Sequence, residues 1–182
     1  PTGSGKTYSA LRFAKGLAGD APFAVLDTEN GRALHYADEF VFDHGPLEPP
    51  FTPARYAEAI KAADEAGYPV IVVDSASHEH AGEGGLLDMH DEALRKMGGR
   101  ESSSMAAWVE PKREHKRFVS RLLQVSAHVI LCFRAEEKVE MAKEGSRTVV
   151  RPKRSLVGLD GWIPVAEKNQ PYELTLSLLF TA

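Results

Sequence analysis

Pro1-Thr2-Gly3-Ser4-Gly5-Lys6-Thr7 reads as a phosphate-binding loop running straight into a helix. In the pattern GxxxxGK[S/T], glycines let consecutive backbone N–H groups turn inward around phosphate oxygens. The lysine then reaches the β- and γ-phosphates and the hydroxyl binds Mg2+. Gly3, Ser4, Gly5, Lys6, Thr7 and Tyr8 are the candidate ATP-binding residues, and Thr7 is also a candidate metal ligand. The following helix, with Leu11, Ala14 and Leu17 on one face, brings its positive N-terminal end under the same phosphates. The pattern's first glycine, and the buried strand that normally delivers such a loop, would stand immediately before Pro1, so the chain reads as a fragment truncated at both ends. A Gly/Ser-rich linker that happens to contain GKT is the alternative, and the segments downstream weigh against it by supplying matching partners.

Those segments begin with Phe23-Ala24-Val25-Leu26-Asp27, a short apolar run of the kind that makes a buried parallel strand. Asp27-Thr28-Glu29-Asn30-Gly31 then emerges at the carboxyl end of that strand, the edge where open α/β sheets bind ligands. Glu29 is the candidate base for a water attacking the γ-phosphate, while a plainer reading makes Asp27 and Glu29 caps of a short helix near Arg32. Pro69-Val70-Ile71-Val72-Val73-Asp74-Ser75 has the shape of the second nucleotide motif, with Asp74 accepting from Thr7 or from Mg2+-bound water. Ser75 follows it where many ATPases carry a catalytic glutamate, and either Ser75 or Ser77 is open to a γ-phosphate-sensing role. A third strand, His128 to Arg134, ends at the same edge and makes Arg134 a candidate sensor of nucleotide state.

Between these strands the chain reads mostly as scaffold. Phe40 to Pro53 is a surface connection with one short strand at Phe40-Val41-Phe42, and Thr52-Pro53 opens a helix carrying Tyr56, Ala59, Ile60 and Ala63. His78-Glu79-His80 lacks HExxH or CxxC spacing, so a polar loop is preferred to a zinc site, with Glu79 as a reserve base. Leu86 to Met97 is an amphipathic helix. A long helix follows from about Met105 to Val125, interrupted near Pro111, with Lys112, Arg113, Lys116, Arg117 and Arg121 as a basic, solvated face. Segments around Glu144-Gly145-Ser146 read as a hairpin, and Gly161 to Pro164 and Tyr172 to Phe180 as further strands.

At 182 residues, 43% hydrophobic and 26% charged, the chain fits one domain spanning 1–182. A net charge of −4 argues against a globally basic nucleic-acid binder and leaves only local basic surfaces. No apolar run reaches bilayer length, and a cytoplasmic location is expected. Cys132, the single cysteine, sits in an apolar run and reads as a buried thiol.

Taken together, GSGKT, LDTEN, VIVVDS, HVILCFR and GLDGWIPVAEKNQPYELTLSLLF resemble the phage-encoded AAA-type ATPases of RecA-like core, including RecA-like single-strand annealing proteins. The resemblance implies a mostly parallel sheet flanked by helices with a C-terminal β-hairpin or antiparallel extension. It also implies ATP and Mg2+, assembly into a ring or filament, and single-stranded DNA as partner in recombination or repair. By it Glu29 stands as the hydrolytic base, and Lys168 as a residue reaching a neighbouring subunit's γ-phosphate. A P-loop small-molecule kinase with a lid carrying Arg147 and Arg151, and a nucleotide-gated assembly protein without useful turnover, are the alternatives.

Overall fold

Phe23-Ala24-Val25-Leu26 and Val70-Ile71-Val72-Val73 are apolar at every position, which suits strands covered on both faces rather than on one. A computed structural model describes residues 4–144, 147–154 and 160–180. Gly3 and the Gly145-Ser146 turn lie outside the described residues, as do Gly158 and Leu159 at the start of the C-terminal segment. Four strands, β1 (Phe23–Asp27), β2 (Phe42–Pro46), β3 (Val70–Asp74) and β4 (His128–Cys132), form one parallel sheet in the order β2-β1-β3-β4.

Side chains alternate between the two faces of that sheet. Phe23, Val25, Val70 and Val72 pack with Ala10, Leu11 and Ala14 of helix α1 (Lys6–Ala18). Ala24, Leu26, Ile71 and Val73 pack with Tyr56 and Ile60 of α2 (Pro53–Glu65) on the opposite side. Phe118 and Leu122 of α6 (Val109–Leu122) complete that second layer. Helix α2 starts as its sequence dictates: Thr52 Oγ1 accepts from Arg55 N at 3.4 Å, and Pro53 occupies the first turn, where no N–H is needed. Helices α3 (Ser77–Ala81), α4 (Leu86–Lys96) and α5 (Ser104–Ala107) fill the span between β3 and α6.

Several boundaries differ from the sequence expectation. The strand expected at Phe40 to Phe42 instead begins at Phe42 and runs to Pro46, pairing with β1 from Phe23↔Phe42 to Asp27↔Pro46. Proline is tolerated there because β2 is an edge strand. The long helix is divided at Trp108 rather than at Pro111, which sits in the first turn of α6 with its missing N–H unneeded. Downstream, β5 (Ala135–Glu137) pairs antiparallel with β8 (Trp162–Pro164), and β6 (Val139–Glu144) with β7 (Arg147–Pro152). Tyr172 to Phe180 is not a strand: a 3-10 turn covers Gln170–Glu173, and Leu174 to Phe180 join no ladder among the described residues. Apolar alternation is present there, but an extended segment becomes a strand only when a neighbour pairs its backbone. Among the described residues no helix is long and apolar enough to cross a membrane.

Ile60 is 1% exposed in the layer between α2 and the sheet. Ile60→Ala should cost about 2–5 kcal/mol through lost transfer energy and a residual cavity. Urea titration checks this, with a lower midpoint and an unchanged slope expected.

Candidate nucleotide site

Parallel register sets the geometry of the site before any side chain is considered. Asp27 lies opposite Asp74, and Asp74 opposite Cys132, so the three strand ends finish level along the carboxyl edge of the sheet. Helix α1 starts beside that edge after Gly5, whose φ of 77° is a left-handed conformation that glycine adopts without strain. Lys6 Nζ lies 2.6 Å from Asp74 Oδ1, and Thr7 Oγ1 donates to Asp74 Oδ2 at 2.5 Å. The carboxylate, 4% exposed, thus has a cation on one oxygen and a hydroxyl on the other. Thr7 and Asp74 offer adjacent hard oxygen donors of the type Mg2+ prefers, and Lys6 supplies positive charge for phosphate. Tyr8 turns its ring toward an aromatic cluster, with centroids 5.6 Å from Tyr36 and 5.5 Å from Phe40.

The two acids after β1 have separate surroundings. Asp27, 3% exposed, accepts from Glu29 N at 2.6 Å and Ala33 N at 3.1 Å, and its Oδ2 lies 3.2 Å from His44 Nε2. It organises the turn into the 3-10 segment Arg32–Tyr36, whose N-cap position is Gly31 with no side-chain cap of its own, so Asp27 reaches that segment only through Ala33 N. Glu29 instead receives Arg32 NH1 on Oε2 at 2.7 Å and Arg134 NH2 on Oε1 at 2.9 Å. Burial pushes the Glu29 carboxyl up, but the hydrogen bonds from Arg32 and Arg134 and the charge of Lys6 prevail and bring it down to about 2. The structure therefore brings Lys6, Thr7, Asp74, Glu29 and Arg134 to one edge. Lys168 is exposed and makes no ion pair with them.

Beneath these groups lies a lattice of buried hydroxyls. Thr28 Oγ1 accepts from Ser75 N at 2.8 Å and donates to Ser75 O at 3.1 Å, and Tyr56 OH donates to the same carbonyl at 2.9 Å. His78 Nδ1 lies 2.8 Å from Thr28 Oγ1, and desolvation, with Arg134 nearby, lowers the His78 pKa and favours the neutral ring. Ser75 and Ser77, open to a sensing role on sequence grounds, are buried fasteners: Ser75 Oγ donates to Cys132 O at 3.3 Å, and Ser77 Oγ accepts from Arg134 N at 2.8 Å. Cys132 is buried, and desolvation raises its thiol pKa, as its apolar run implies.

His78-Glu79-His80 is helical rather than a loop, and Glu79 is not available as a base. Its carboxylate, 5% exposed, lies 2.9 Å from His115 Nδ1 of α6. Among the described residues no group of three or more His, Cys, Asp or Glu side chains that could hold a metal ion forms. Arg151 of β7 pairs with Glu140 at 2.9 Å, which occupies one of the two arginines of the kinase-lid alternative. On α6, Arg113 pairs with Glu110 and Arg117 with Glu114, so much of the basic run is a neutralised, solvated face.

Arg32, Thr28, Tyr56 and His115 were not singled out from sequence for these contacts. Arg32 carried a signal, an acid three residues earlier at the entry to the 3-10 segment. His115 carried another, a polar residue on the apolar face shared by Pro111, Phe118 and Leu122.

A parallel α/β sheet with a lysine and a threonine from a glycine-led helix converging on a strand-end aspartate defines a P-loop nucleotide-binding domain. The family model for the AAA domain matches residues 1–156, and the chain belongs to that family, the AAA-type P-loop ATPases. No curated protein matches the chain.

The Glu79–His115 pair yields a stability prediction. Burial alone lowers the His115 pKa, but the hydrogen bond and charge of Glu79, with Glu167 and Glu173, raise it above its ordinary 6.5. A raised histidine stabilises fully below the unfolded value and loses that contribution as pH climbs through the folded value. Thermal melts should therefore show stability falling from pH 6 upward, and Glu79→Gln should flatten that dependence.

Proposed function

We propose that this domain hydrolyses ATP with Mg2+ and works on single-stranded DNA in recombination or repair, as a ring or filament of identical subunits. The observation that carries the ATPase reading is the convergence of Lys6 and Thr7 on Asp74, with Glu29 held at the adjoining strand end. Lys6 would neutralise the β- and γ-phosphates, and backbone N–H groups of Gly3, Ser4, Gly5 and the residues up to Tyr8 would cradle them at the helix N-terminus. Thr7 and Asp74 would hold Mg2+, which when bound draws electron density from the phosphate oxygens. Glu29 would accept the proton of the water attacking the γ-phosphorus as the bond to the β–γ bridging oxygen breaks, giving ADP and phosphate. Arg134 would sense the γ-phosphate, and Lys168 would serve a neighbouring subunit. We treat residues 1–182 as one such domain.

The DNA reading rests on the family resemblance and on Lys112, Lys116 and Arg121, exposed cations of α6 outside the pairs described above. The test is ATP hydrolysis with and without single-stranded DNA. Glu29→Gln should lower kcat by about 10²- to 10⁴-fold while leaving nucleotide binding. Lys6→Ala should abolish both binding and turnover. Hydrolysis unmoved by DNA at any salt concentration would remove the DNA partner, and full turnover by Glu29→Gln would remove Glu29 as base.

A further inference from the structure

His78 sits among the groups of the nucleotide site without a share in the steps assigned to Lys6, Thr7, Asp74 and Glu29. It belongs to α3, next to Ser77, whose Oγ holds the backbone of Arg134. The charges acting on its imidazole are those of Arg134, Glu29, Lys6 and Asp74, all from the carboxyl edge of the sheet. The ring is held on two sides. Nδ1 lies 2.8 Å from Thr28 Oγ1, and the buried Phe51 lies against the ring, with centroids 5.0 Å apart and planes tilted by 32°.

Thr28 decides the tautomer. A hydroxyl has one hydrogen to give and two lone pairs to offer. Ser75 N can only donate to Thr28 Oγ1, at 2.8 Å, and Ser75 O can only accept, at 3.1 Å, so the Thr28 hydrogen is spent on that carbonyl. The remaining lone pair takes a hydrogen from His78 Nδ1. Desolvation and the nearby Arg134 charge lower the His78 pKa and keep the ring neutral, so Nε2 carries a bare lone pair. Among the described residues Nε2 has no hydrogen-bond partner, and the shape of an imidazole turns it away from the Thr28 lattice.

A bare acceptor suits some occupants of the site and not others. Phosphate oxygens take donors, which Lys6 and Arg134 supply. Water has hydrogens to give. We propose that His78 is a further residue of the hydrolytic reaction, its Nε2 accepting a hydrogen bond from the water that attacks the γ-phosphorus. The proposal rests on the ATPase reading with Glu29 as base. One water hydrogen passes to Glu29 as the water oxygen bonds to phosphorus, and the electron pair of the breaking bond stays on the β–γ bridging oxygen of ADP. The second hydrogen stays on the attacking oxygen, held by Nε2, and ends on the phosphate product. His78 itself transfers no proton. Two acceptors at fixed positions orient the water's lone pair toward phosphorus, and a misplacement of about 1 Å in such an arrangement costs about 10²-fold in rate.

Two substitutions separate this role from that of a mere fastener for Thr28. Asparagine puts an amide N–H near the place of Nδ1 and keeps the Thr28 contact, with no acceptor at Nε2. Glutamine puts an amide oxygen near the place of Nε2 and gives up the Thr28 contact. Steady-state ATP hydrolysis and thermal melts of the whole chain should therefore rank the two in opposite orders. His78→Asn should melt close to wild type yet lower kcat by about 10²-fold with little change in KM. His78→Gln should melt lower and recover part of kcat. Wild-type kcat in His78→Asn overturns the inference, as does a His78→Gln variant that turns over more slowly than His78→Asn. Nitrogen-15 NMR of the neutral ring should find its hydrogen on Nδ1, and a hydrogen on Nε2 overturns the inference as well. Absence of any Lys6-dependent hydrolysis would instead defeat the ATPase reading and the part of His78 in it, an outcome told apart because the ring tautomer and the melts need no turnover.

Discussion

Asp74 is where the sheet, the phosphate loop and the charge of the site meet. Its carboxylate takes Lys6 on one oxygen and Thr7 on the other, so the start of α1 is tied to the end of the central strand by two short contacts rather than by packing alone. A carboxylate this buried requires such partners, since leaving either oxygen bare would cost the desolvation of a charged group. The same contacts keep Lys6 and Thr7 at the sheet edge.

Around it, buried polar groups are divided by task. Asp27 lies level with Asp74 in the sheet, but its oxygens are committed to two backbone N–H groups and to His44, which makes it an organiser of the turn. Glu29 is two residues further along, and among the described residues its carboxylate accepts from Arg32 and Arg134. Thr28 between them ties β1 to β3 through Ser75, with Tyr56 reaching up from α2 to the same carbonyl. This side chain-to-backbone lattice holds the strand ends level under a cluster of charges that would otherwise repel or drift.

The sheet was legible in the sequence because uninterrupted apolar runs ending in acid leave few alternatives: Phe23 to Asp27 and Val70 to Asp74 stand where they were expected. Lys6, Thr7 and Asp74 were legible as well, since motif spacing encodes their meeting. Less could be read where tertiary contact decides the outcome. The span of β2 depends on register with β1, and His44-Gly45-Pro46 has no strand signal of its own. The distinction between Asp27 and Glu29 depends on which backbone N–H groups the turn presents. Tyr172 to Phe180 shows the converse, a period-two pattern that no neighbouring backbone among the described residues completes. Glu79 looked available only because its partner, His115, is distant in sequence.

That distant partner bears on how the site is joined to the rest of the chain. α3 follows directly from the Asp74 strand end, and it is fixed at one point by His78 against Thr28 and at another by Glu79 against His115 of α6. Ser77 of the same short helix holds the backbone of Arg134, whose carbonyl in turn receives Val165 from the C-terminal part of the chain. A shift of Arg134 therefore has a short mechanical route, through Ser77 to α3 and α6, and through Val165 to β8. The arginine side chain, by contrast, is 54% exposed beyond a backbone that is held on both sides.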